Sequence, residues 1–160
     1  MCLTTKPSRS EKKKDFIDKI IIEKKYGVAY RVGYKILNRT YSHRLAPPIQ
    51  TNGSSLKLNR WIHRDETSFL RSGEQLWFDI GKYPYESGYH IYIDEDEAKR
   101  MLHKYYRRKC ACPTLRKVYF KEVTAYGYER RTGGVFCDEF INRIVVARQI
   151  FIPSLKNPKP

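Results

Sequence analysis

Apolar positions recur along this chain at two spacings, and the switches between them outline the fold. After Gly27 the segment VAYRVGYKIL alternates polar and apolar residues and is rich in Val, Tyr and Ile, which predicts a strand bent at Gly33. LWFDI at 76–80 and YHIYI at 89–93 predict two shorter strands, separated by the turn-rich stretch GKYPYESG. VYFKEVTAYGY (118–128) and RIVVARQIFI (143–152) predict two long strands, with Gly133-Gly134 marking the turn between them. The segment DFIDKIII (15–22) fits a short helix or a strand, and its isoleucine run favours the strand.

One segment carries helical spacing. Ala98, Met101, Leu102 and Tyr105 fall at i, i+3, i+4 and i+7, which makes a single apolar stripe over about 94–109. Asp94 fits as N-cap, and Glu97 three residues later completes a capping-box pattern. Glu95 and Asp96 lie in the first turn and Arg107, Arg108 and Lys109 in the last, as the helix dipole favours. Pro113 prevents continuation. Residues 38–60 hold Pro47-Pro48 and Asn52-Gly53-Ser54-Ser55 and few apolar anchors, predicting a long surface loop with a hairpin turn at Asn52-Gly53. The expected architecture is α+β: a single mostly antiparallel or mixed sheet with one principal helix packed on it. Residues 1–14 read as a flexible basic arm, 15–153 as one domain and 154–160 as a frayed tail.

Composition changes this picture through charge. The chain of 160 residues carries 32 Lys and Arg against 17 Asp and Glu, a net +15. No acid lies between Glu23 and Asp65, where nine Lys and Arg fall, and none between Glu97 and Glu122, where nine more fall. Positive potential that neighbouring carboxylates cannot cancel recruits phosphates. The candidate anion contacts are Arg31, Lys35, Arg107, Arg108, Lys109, Arg116 and Lys117, with Tyr105, Tyr106, Tyr119 and Phe120 interleaved as rings that either stack on bases or pack in the core. The 14% aromatic share argues against disorder. No apolar run is long enough to span a membrane and no secretory signal stands at the N-terminus. The four cysteines are therefore expected to be reduced thiols in a cytoplasmic protein.

Three further sets of residues touch chemistry. Cys110, Cys112, His103 and Cys137 supply the types of a zinc site, but Cys-x-Cys is not the usual knuckle spacing, so no metal is assigned and no cofactor is expected. Cys2 would lie beside a free amine after removal of Met1, without an identifiable base partner. His90 stands at the start of a strand just before the helix, and a lone strand histidine is usually structural.

The opening Met-Cys-Leu, YRVGYKIL and SGYHIYIDEDEAKRML together resemble a group of small phage-encoded proteins that begin with "MCL" and carry a Gly-aromatic-His strand leading into an "EDA" helix. The resemblance implies phage origin rather than an activity. Tyr30-Arg31 on an early strand, Gly88-Tyr89-His90 before a helix and a late Val-rich strand are also similar to ADP-ribosyltransferase-like folds. That similarity implies Arg31 as a dinucleotide contact, His90 in place of a stacking Tyr, and Glu139 as the catalytic acid. It lacks the serine-rich nicotinamide-side motif. The expected function is binding of an anionic nucleotide or nucleic acid, with Tyr89 and His90 lining a pocket, to counteract or redirect a host system. The alternatives are a nucleotide-processing enzyme using Arg31, His90 and Glu139, and an inhibitor docking its basic face on an acidic host protein.

Overall fold

The computed structural model describes residues 16–25, 27–39, 44–46, 55–64, 77–80, 83–86, 88–107, 112–131 and 140–154. In chain order the elements are β1 (Ile21–Lys25), β2 (Val28–Arg39), β3 (Leu45–Ala46), β4 (Trp61–His63), β5 (Trp77–Ile80), β6 (Tyr83–Glu86), β7 (Tyr89–Tyr92), α1 (Glu95–Arg107), β8 (Pro113–Arg131) and β9 (Phe140–Phe151). The α+β expectation holds, with every strand pairing antiparallel. β5 falls on the strand expected at 76–80, β6 lies in the stretch read from sequence as turn-rich, and the two form a separate two-stranded sheet.

The large sheet closes on itself. β2 pairs with β8, β8 with β9, β9 with β7, and β7 returns to β2 through Tyr34 and Tyr92. The nineteen residues of β8 make this possible, because one half pairs with β2 and the other with β9, with Tyr119 opposite both Val32 and Phe151. A register shift between Val123 and Ala125, next to Glu122 at φ 57°, bends the strand. Gly33 permits the closure. A Cβ there would meet Ile91 Cγ2 and sit 2.9 Å from the Tyr92 carbonyl oxygen, so only glycine lets β7 cross β2 this tightly.

Burial divides into three clusters. Leu37, Tyr89, Ile91, Val118, Phe120, Val145, Ala147 and Ile150 form the largest, joined by Phe16, Ile20, Leu45 and Leu56. Leu45 and Leu56 correct the reading of 38–60 as poor in anchors: both are buried, and they bridge each other across the unassigned part of the segment. Residues 47–54, with the expected Asn52-Gly53 turn, lie outside the described residues, as do the 1–14 arm and the tail from 155.

Ile36, Tyr92, Ile144 and Val146 form a second cluster with Ala98 and Met101 of α1, which places the helix on one part of the sheet. Asp94 caps α1 as expected, its Oδ1 accepting from the amides of Asp96 (2.9 Å) and Glu97 (3.0 Å). Glu97 does not complete a capping box. Its carboxylate turns to β9 and accepts from the Arg143 amide at 2.7 Å and Nε at 3.0 Å, so it pins the helix to the sheet instead. Val32, Tyr119 and Phe151 form the third cluster, with Tyr30 and Trp61 packed against it. Among the described residues no helix is long and apolar enough to cross a membrane.

Candidate functional site

The third cluster lies where β1, β2, β8, β9 and β4 run side by side. β-strand alternation puts Lys117, Tyr119 and Lys121 on one face of β8, and Glu23 and Lys25 on the matching face of β1, which pairs with β2 at Tyr30 and Val28. From β4, Trp61 joins opposite Phe151. The rings of Tyr30 and Trp61 lie nearly parallel, 26° apart with centroids at 6.3 Å. Tyr119 meets Tyr30 edge-on at 5.6 Å, and Phe151 tilts against both Trp61 and Tyr119. Tyr119 and Phe151 are buried, whereas Tyr30 and Trp61 are half-buried.

Lysines frame these rings. Lys121 Nζ sits 4.5 Å from the Trp61 ring centre, Lys25 Nζ 5.1 Å from that of Tyr119 and Lys117 Nζ 5.9 Å from the same ring. Lys117 and Lys121 are exposed and Lys25 is half-buried, and long stems of this kind can cover apolar surface while the charged head reaches outward. Glu23 is the carboxylate set among them. It accepts from Lys117 at 2.7 Å and from the Tyr119 hydroxyl at 3.1 Å, with Lys25 at 3.4 Å. The Lys117 contact holds its carboxyl below the usual carboxylate range.

The residues expected from sequence to contact anions separate in the structure. Lys117 is on this face. Arg31 is exposed one position from Tyr30, between Ile22 and Phe120 in neighbouring strands. Arg116 is half-buried and donates to the Pro153 carbonyl at 2.7 Å; burial and the nearby Arg39 charge lower its pKa. Lys35 is not a surface contact. It is 6% exposed, donates to the His90 carbonyl at 2.9 Å and lies 5.8 Å from the Tyr89 ring centre. Burial pushes its pKa down to about 8. The Arg107 side chain, Arg108, Lys109 and Glu139 lie outside the described residues.

Tyr89 and His90 do not line an open pocket. Tyr89 is 2% exposed and donates from its hydroxyl to the His63 carbonyl at 3.3 Å. His90 is buried in the β7–β9 pairing opposite Val146. Burial, then the Lys35 charge, pushes its pKa down to about 3, so the ring is neutral at physiological pH rather than an imidazolium acid. Of the cysteine and histidine set weighed for zinc, His103 and Cys112 are exposed, and Cys110 and Cys137 lie outside the described residues, as does Cys2.

Of this face the sequence reading named Lys117 and Tyr119 and missed Tyr30, Trp61, Glu23, Lys25 and Lys121 as site residues. Lys117-x-Tyr119-x-Lys121 carries the signal that could have found the face, since alternate residues of a strand share a side. Trp61 gave no such signal, because it stands in a three-residue strand whose place depends on β9. No family model matches the sequence, and no curated protein or solved structure matches it either.

Proposed function

We propose that this protein binds single-stranded nucleic acid on the face formed by Tyr30, Trp61, Lys25, Lys117 and Lys121. The observation that carries the reading is the half-buried Tyr30–Trp61 pair, with the Lys121 ammonium over Trp61 and those of Lys25 and Lys117 over the adjoining Tyr119 ring. Single-strand binding without strict sequence preference needs two things: rings on which bases stack, and cations spaced to follow the backbone. Both occur here on one sheet face. A duplex keeps its bases stacked inside and offers the rings nothing, so phosphates alone would hold it. The acid-free stretches of the sequence supply the cations: Lys25 from the first, Lys117 and Lys121 from the second.

The test is fluorescence anisotropy with a labelled 15-nucleotide oligothymidylate and a duplex of the same length. Three phosphate contacts give a fall of log K with log salt of about −2 for the single strand, at about 0.7 per contact. The single strand should bind more tightly than the duplex at every salt concentration. No binding at about 50 mM salt, where such contacts are strongest, rules the reading out.

A further inference from the structure

Glu23 is the last acid before the forty-one residues that carry none, and it falls in the middle of the cationic face. Three donors converge on its carboxylate: Lys117 Nζ at 2.7 Å and the Tyr119 hydroxyl at 3.1 Å on Oε2, and Lys25 Nζ at 3.4 Å on Oε1. Two ammonium groups and a hydroxyl around a pair of anionic oxygens are also what a backbone phosphate requires, since carboxylate and phosphate present similar acceptor pairs. The same two ammonium groups lie over the Tyr119 ring, so this cluster is part of the aromatic surface rather than a separate ion pair at its rim.

We infer that Lys25, Lys117 and the Tyr119 hydroxyl form a subsite for a nucleic-acid phosphate, and that the Glu23 carboxylate fills it in the free protein. The inference rests on the single-strand reading and says where one phosphate goes. Glu23 sits on a lightly held strand. It belongs to a five-residue strand that, among the described residues, pairs only with β2, and Ile21 and Ile22 beside it are more than half exposed. Partly exposed ion pairs of this kind hold weakly, so an incoming phosphate can displace the carboxylate. Glu23 then lowers affinity for the strand and screens Lys25 and Lys117 until a ligand arrives.

The experiment is a double-mutant cycle on oligothymidylate binding with the full chain: wild type, Glu23→Gln, Lys117→Gln and the double variant. Glu23→Gln should bind about tenfold more tightly at low salt, with a salt slope still near the wild-type value of about −2, because the same three cations meet phosphate in both complexes. Lys117→Gln should weaken the wild type less than about threefold, because its charge is already engaged, yet remove most of the gain in the Glu23→Gln background. Simple loss of a negative charge would make the two effects additive. Glu23→Thr, which suits a strand, should reproduce Glu23→Gln and separates charge from folding. Wild-type binding that Glu23→Gln leaves unchanged, or additive effects in the cycle, overturns the inference and leaves the single-strand reading standing. Failure of both wild type and Glu23→Gln to bind at about 50 mM salt removes both.

Discussion

Two parts of the same outer sheet surface have been finished in different ways. Around Ile36, Tyr92, Ile144 and Val146 the surface is apolar and α1 covers it with Ala98 and Met101. Around Val32, Tyr119 and Phe151 it is equally apolar, but rings and lysine stems cover it, and Tyr30 and Trp61 remain half-open to solvent. The first is hydrophobic core in the ordinary sense, sealed and fixed by the Glu97–Arg143 contact. The second buries Tyr119 and Phe151 while Tyr30 and Trp61 stay half-buried and Lys117 and Lys121 stay exposed. A helix makes a sheet face structural; long cationic side chains make the same kind of face available for contact.

The largest effect should come from opening the sealed part. Met101 is 1% exposed on the sheet-facing side of α1, and Met101→Ala should cost about 2–5 kcal/mol in chemical denaturation. The folded fraction should bind oligonucleotide as the wild type does. Equal loss of affinity per folded molecule would mean that the two regions are not independent.

Lys35 sharpens the comparison from inside the closed ring, where a lysine has no carboxylate partner among the described residues. Its folded pKa of about 8 lies below the ordinary lysine value of 10.5. Between those values the unfolded chain binds more protons, so stability should rise as pH climbs from about 8 towards 10.5, by about 3 kcal/mol at most. Lys35→Met should remove that rise and make the protein more stable at pH 7. Denaturation midpoints across the range measure it, and a flat wild-type profile would contradict the burial cost.

Much of this architecture was readable in the chain because its signals are local. The α1 stripe, its Asp94 cap and the alternation of β2, β8 and β9 each follow from a few neighbouring residues. The ring closure was not readable. It depends on the contact of Tyr34 with Tyr92 and on β8 serving two partners, which no spacing within one segment reports. The site was readable in part for the same reason. Charge blocks pointed to Lys117, but a basic residue in a strand can face either way, and Lys35 faces inward where Lys117 faces solvent. His90 drew notice as the histidine ahead of the helix, yet the strand it sits in is covered on both faces. Tyr30 and Trp61 are separated by thirty residues and meet only once the sheet is assembled.

The smallest change tests the open face most directly. Trp61→Ala removes one stacking ring and no charge, so oligothymidylate affinity should fall by about tenfold, in line with about 1–3 kcal/mol per stacked base. The salt slope should stay as in the wild type, because no cation contact is lost. Affinity that stays at the wild-type level, in a variant whose circular dichroism shows it folded, would contradict the assignment of this face as the binding surface.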